Sequence, residues 1–169
     1  MSSPAFSLRA AEPRDVPAIV ELIRGLADYE KLTHLVKVTP ESLHPHLFGP
    51  RPVVEAVVAE VTEKEKEKGD GALVAFALFF TNFSTFLGQP GLYLEDLYVL
   101  PAQRGSGIGE ALLRHLGKLA AQRGYGRFEW SVLDWNVDAI RFYERMGAQV
   151  HKEWHICRIT GDALRAFAD

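Results

Sequence analysis

Three glycines within five residues, Gly105, Gly107 and Gly109, stand where an apolar strand gives way to a helix. Glycine lets the backbone take left-handed conformations and approach a ligand closely. The start of a helix adds unpaired N–H groups and the positive end of its dipole. Together they make an anion site, most often for phosphate, and Arg104 sets a cation beside it. Two phosphate loops do not fit. A P-loop ends in Gly-Lys and then Ser or Thr, whereas Gly109 precedes Glu110 and Ala111. A dinucleotide fingerprint reads Gly-x-Gly-x-x-Gly inside a βαβ unit; here the spacing is Gly-x-Gly-x-Gly and no such unit surrounds it. What remains is Arg104-Gly-Ser-Gly107-Ile-Gly109, an Arg-x-x-Gly-x-Gly loop.

Hydrophobic periodicity frames this loop. Phe6–Ala10 reads as a first strand, and Pro13 opens a helix with Val16, Ile19, Val20, Ile23 and Leu26 at helical spacing. Thr39-Pro40-Glu41 repeats the start signal, with Thr39 as cap, and the helix ends near Phe48-Gly49-Pro50. Strands are expected at 53–61, 72–83 and 91–100. The run at 63–68, Glu-Lys-Glu-Lys-Glu-Lys, with Gly69 and Gly71 after it, suits a polar hairpin tip. After the glycine loop, Ala111, Leu112, Leu116 and Leu119 share a helix face that stops near Gly124. A strand at 127–133, a helix at 136–146, a last strand at 149–159 and a short helix at 162–167 complete the order β-α-α-β-β-β-α-β-α-β. This is an α/β (α+β) chain with a mixed sheet and helices on its faces.

The chain has 169 residues, no linker-like stretch and no repeat, so one domain spanning 1–169 is expected. A net charge of −3 points away from nucleic acid. No apolar run approaches the roughly 18 residues of a membrane span. Met-Ser-Ser-Pro lacks a basic, then apolar, leader pattern, so a cytoplasmic protein is expected. Cys157 is the only cysteine, which excludes an intrachain disulfide and a cysteine zinc site; on the last strand it reads as a buried, small apolar residue. The six histidines form no trusted ligand spacing, and His44-x-His46 alone does not make a metal site, so no metal is expected.

Asn136-Val-Asp-Ala-Ile-Arg-Phe-Tyr143-Glu-Arg-Met-Gly147-Ala148 supplies a second signature. An asparagine caps a helix after a strand, a tyrosine follows seven residues later on the same face, and Gly-Ala closes the helix. With the Arg-x-x-Gly-x-Gly loop, the sequence resembles the GNAT superfamily of acyl-CoA N-acyltransferases. The stretches 92–99 (Leu-Tyr-Leu-Glu-Asp-Leu-Tyr-Val), Leu26-Ala-Asp-Tyr29-Glu30-Lys-Leu, Phe48-Gly49 and Leu133-Asp-Trp-Asn136 are similar to its diamine acetyltransferase branch. That branch holds the spermidine/spermine and thialysine acetyltransferases.

The resemblance implies a central, mostly antiparallel mixed sheet, acetyl-CoA as cosubstrate, a small primary amine as acceptor, and a homodimer. It implies that Leu97, Tyr98 and Val99 pair through their backbone with the pantetheine arm. Arg104, Gly105, Ser106, Gly107, Ile108, Gly109 and Glu110 would cradle the pyrophosphate. Asn136, Val137, Asp138 and Ala139 would flank the CoA arm, and Tyr143 would be the general acid. Tyr29, Glu30, Ser84, Glu95, Asp96 and Glu153 would line the amine site. Two departures matter. Polyamine-specific members carry Asp-Pro-Trp where this chain has Ser84-Thr85-Phe86, closer to the thialysine type. The stretch from Gly147 to Trp154 is also shorter than the branch pattern, which loosens the match of Glu153.

The chemistry is coherent. A substrate amine with pKa near about 10.4 arrives as an ammonium ion. A carboxylate must hold it and remove one proton, and Glu95 is assigned as that base, directly or through water. Adjacent strand residues alternate between faces, so only one of Glu95 and Asp96 is expected to face the substrate. Backbone N–H near Val99 can stabilise the developing oxyanion. Tyr143, protonated at neutral pH, can donate to the departing thiolate. Trp154, if near the amine, could line its channel. A peptide amine is a second substrate class, against which the acidic cluster argues; a non-catalytic acyl-CoA-binding module is a third reading.

Overall fold

β1 (Phe6–Ala10), β2 (Glu55–Val61), β3 (Ala72–Ser84), β4 (Gln89–Val99) and β5 (Arg127–Trp130) lie side by side in sequence order. The first three pairings are antiparallel and β4–β5 is parallel. The computed structural model describes residues 6–61 and 71–168. The hairpin tip expected at 63–68 lies outside them.

Residues group into two compact units, Met1–Ser131 and Val132–Asp169. In the first, α1 (Val16–Tyr29) and α2 (Pro40–Phe48) cover one face of the sheet. Val16, Ile19, Val20 and Leu22 of α1 meet Leu43 and Leu47 of α2, over Ala56, Val58, Phe76, Leu78 and Tyr98 from three strands. Thr39 caps α2 as its sequence suggests, accepting the Ser42 N–H at 3.2 Å. α3 (Ile108–Gln122) covers the other face, with Gly109 against the Val99 side chain and buried Ile108, Leu112 and Leu116 pointing inward. Each fully buried branched side chain contributes about 2 kcal/mol. β4 buries Leu92 and Leu94 on one side and Tyr98 on the other.

The second unit contains α4 (Val137–Arg145) and α5 (Gly161–Arg165). Asn136 caps α4 by accepting the Ala139 N–H at 3.3 Å. The last strand expected at 149–159 is not formed. A turn interrupts it: the Trp154 N–H reaches the His151 carbonyl at 3.4 Å, and the His151 ring bonds Glu153 at 3.1 Å. Extended chain needs a neighbouring edge to satisfy its backbone, and among the described residues no strand pairs with 149–159. Cys157, expected to be buried there, is exposed.

Candidate active site

The centre of interest is one residue too many in β4. Its register on β3 runs Ala77↔Leu97, Leu78↔Asp96 and then Phe79↔Leu94, so Glu95 has no partner. This is a β-bulge, which breaks the alternation of faces. Asp96 lies opposite Leu78 and Tyr98 opposite Phe76, so both belong to the face under α1. Leu94 lies opposite Phe79, on the α3 face. Glu95 follows Leu94 by ordinary alternation and so also points to the α1 side. Both carboxylates therefore share one face, which corrects the expectation that only one could face the substrate. The sequence did carry a signal. Leu92 and Leu94 are in phase with each other, Leu97 and Val99 are in phase with each other, and the two pairs are separated by an odd step across the acids.

The electrostatics follow from this geometry. Burial, and then the charges of Glu95 and Glu30, push the Asp96 carboxyl up to about 7. Glu30, at the C-terminal end of α1, is also raised by burial. Glu95 is the exposed member. Among the described residues no ion pair joins a cation to any of the three.

The bulge also marks where β4 loses a neighbour. β5 pairs with Gly91–Leu94 and no further. Leu100 donates to the Val74 carbonyl at 2.9 Å, so antiparallel alternation turns the N–H and C=O of Val99 and Leu97 towards the other, strand-free edge. The Tyr98 side chain is buried against α1, where a Cβ on Gly25 would come within 2.9 Å of its ring.

Beyond Val99 the glycine loop has the expected form. Gly105 and Gly107 have φ of 79° and 85°, and Gly107 immediately precedes α3. A Cβ at either would touch nothing within 4 Å, so it is the left-handed backbone that requires glycine. Ser106 Oγ donates to the Gln103 carbonyl, and Ile108 is buried. Glu110 spends its side chain on Arg114 at 2.8 Å, leaving its backbone N–H in the helix's first turn. Arg104 does not point away from the sheet. Its Nε donates to the Val99 carbonyl at 3.1 Å, and its guanidinium lies 4.8 Å from the Tyr29 ring centroid and 5.5 Å from that of Tyr98. Arg104 thus links the loop to the end of α1 that carries Tyr29 and Glu30, a connection absent from the sequence reading because nothing local encodes it.

Other expected residues are placed as follows. Tyr29 is 41% exposed. Ser84 is 5% exposed and its Oγ accepts the Leu87 N–H at 3.2 Å, so its hydroxyl serves the β3–β4 turn. In the second unit, Val137 and Asp138 are exposed in the first turn of α4, and the Ala139 N–H is taken by Asn136. Tyr143 is half-buried on α4, its ring 5.5 Å from that of Phe142. Glu153 and Trp154 are exposed. Among the described residues no group of His, Cys, Asp and Glu could hold a metal ion. No helix there is long and apolar enough to cross a membrane.

A splayed mixed sheet with a glycine loop at a helix start defines an acyltransferase-type fold. Solved structures agree. An integron cassette protein from the V. cholerae mobile metagenome superposes with a TM-score of 0.74 at 24% identity, covering 99% of this chain and 98% of that one. A ribosomal-protein-alanine N-acetyltransferase from Brucella melitensis gives 0.69 at 22%, covering 92% and 100%. The Acetyltransferase (GNAT) family matches residues 39–148, and the chain belongs to that family. It is an N-acetyltransferase, and its relatives include members of the diamine and thialysine branch. It is 38% identical to an L-ornithine N5-acetyltransferase of Arabidopsis thaliana, over 94% of this chain and 86% of the relative. It is 37% identical to the thialysine N-epsilon-acetyltransferase of Sus scrofa, over 95% and 96%.

Proposed function

We propose that the protein transfers an acetyl group from acetyl-CoA to a primary amine of a lysine-like amino acid or short diamine. The observation that carries this is the gathering of Glu30, Glu95 and Asp96 on one face, where among the described residues none of the three is held in an ion pair. Such a cluster suits a small substrate bearing an ammonium group. The strand-free edge of Leu97 and Val99 and the left-handed Gly105 and Gly107 fit a CoA thioester: an extended arm can pair with the former and a pyrophosphate with the N–H groups of the latter. Bound there, the thioester supplies an activated acetyl group. The Val99 N–H faces that edge and is suited to stabilise charge developing on the carbonyl oxygen. The Glu95–Asp96 pair takes a proton from the ammonium, Glu95 being the sequence-based choice. Tyr143 donates to the departing thiolate, and Asn136 to Ala139 flank the CoA arm. Ser84-Thr85-Phe86 offers no acid for a far ammonium, which favours the ornithine and thialysine acceptors of the relatives over spermine. We read the protein as one catalytic domain, a cytoplasmic homodimer without metal.

The test is thiol release from acetyl-CoA with thialysine, lysine, ornithine, 1,3-diaminopropane, putrescine, spermidine, spermine and a peptide N-terminus. Preference for the amino acids or the shortest diamine supports the reading. Preference for spermidine or spermine moves it to the polyamine alternative, and preference for the peptide to a protein acetyltransferase. Tyr143→Phe is expected to lower kcat about 100-fold with little change in KM for acetyl-CoA; unchanged turnover removes its role as acid. Light scattering reads the oligomeric state.

A further inference from the structure

Resting on the reading above, we propose that Asp96, not Glu95, is the proton acceptor for the substrate amine, and that Glu95 is its positioning and charge-tuning neighbour. The bulge is what makes this arrangement possible. A regular strand would send the two carboxylates to opposite faces; the unpartnered Glu95 brings them to one. Of the two, Glu95 is the outer, solvent-exposed group and Asp96 the inner, half-buried one, set opposite Leu78 and beside the strand-free edge that starts past Leu94.

The charged surroundings of Asp96 are one-sided. Glu95 on its own strand and Glu30 at the end of α1 repel its negative form. β3 contributes apolar Leu78 opposite it. Arg104, which lies over Tyr98 on this face, is engaged with the Val99 carbonyl and the rings of Tyr29 and Tyr98. Burial and like charge together bring the Asp96 carboxyl near neutrality. A base is most effective when its pKa lies near the working pH, so this carboxyl is matched to the task where an ordinary one is too weak. The step balances. An N–H bond of the ammonium breaks and its proton goes to an Asp96 carboxylate oxygen. The freed nitrogen lone pair forms the bond to the acetyl carbon, and the carbon–sulfur bond of the thioester breaks. The nitrogen releases its second proton to solvent to leave the neutral amide, and the thiolate takes a proton from Tyr143, whose phenolate solvent then reprotonates. The Asp96 proton then returns to water.

The experiment is the pH profile of kcat/KM for the best amine of the panel, with acetyl-CoA saturating, in wild type, Asp96→Asn, Glu95→Gln and Glu30→Gln. Wild type is expected to show an acidic limb near pH 7. Asp96→Asn is expected to lose at least about 100-fold in kcat together with the limb. Glu95→Gln and Glu30→Gln are expected to keep the limb and move it to lower pH, because each removes a charge that repels the Asp96 carboxylate. A limb that survives in Asp96→Asn but vanishes in Glu95→Gln overturns the assignment in favour of Glu95. If Asp96→Asn does not fold, the other two variants decide: an unmoved limb in both overturns it, a downward shift supports it. Wild-type turnover with no limb between pH 5 and 9 overturns it while leaving the substrate reading intact. No turnover of any amine takes both down.

Discussion

Two groups of carboxylates, each shared between a strand and the helical segment beside it, behave in opposite ways. Asp15 and Glu60, each 5% exposed, are joined by Arg9. The guanidinium holds Asp15 with two bonds at 2.7 and 3.0 Å and Glu60 at 2.9 Å. Asp15 also accepts the Glu12 N–H at 2.7 Å, and Glu60 the Gly71 N–H at 2.9 Å. Burial alone would raise Asp15, but the bonds to Arg9 win and its pKa falls; Glu60 is lowered chiefly by its bond to Arg9. Glu30 and Asp96 are raised instead. Acids that carry their own cation hold the fold together. Acids gathered without one store repulsion that a cationic ligand relieves.

The largest effect that would break this contrast is the loss of the built-in cation. Arg9→Met leaves two buried acids unpaired and is expected to cost about 3 kcal/mol at pH 7, read from chemical or thermal unfolding. That loss narrows below about pH 5, where the orphaned acids protonate. A cost under about 1 kcal/mol would mean the triad is not structural.

Asp96→Asn should do the reverse. The folded carboxyl titrates near 7, above its unfolded value near about 3.9. Between those values the folded state holds the extra proton, so stability from this group falls as pH rises towards 7. Neutralising it is expected to stabilise the ligand-free protein by something on the order of 1 kcal/mol at pH 8 and by almost nothing near pH 4. A Tm that drops at pH 8 would show Asp96 to be a supporting residue. Glu30→Gln sharpens the comparison more gently, raising the amine KM about threefold, the weight of a half-buried charge at short range. The control is Glu110→Ala, which removes an exposed pair with Arg114 within α3 and should change stability by about 0.3 kcal/mol.

How much of this was legible beforehand depends on whether the signal was local. Caps and glycines act within a few residues, so Thr39, Asn136 and the left-handed Gly105 and Gly107 could be read directly from the chain. Strands β2, β3 and β4 were legible for a related reason: they carry long apolar runs. Residues 149–159 looked equally strand-like, but a strand exists only against a partner edge, and the turn at His151 prevails instead. The amine site was half legible. Its acids could be named, but their shared face depends on a register between β3 and β4 that no single segment contains. Arg104 was assigned to the phosphate loop alone, since its position over Tyr29 and Tyr98 joins residues far apart in sequence.

The bulge leaves one mark on how this chain can change. Removing a residue from a central strand ordinarily turns every side chain beyond it to the wrong side of the sheet. At Glu95 the opposite holds. Leu94 already lies opposite Phe79 and Asp96 opposite Leu78, neighbours on β3, so excising Glu95 would close a regular ladder with Leu92, Leu94, Leu97 and Val99 all keeping their faces. Within an inner strand of its sheet the chain carries a position where a codon can be lost without scrambling the interior. An alignment gap at that point would record a change of chemistry, not a change of fold.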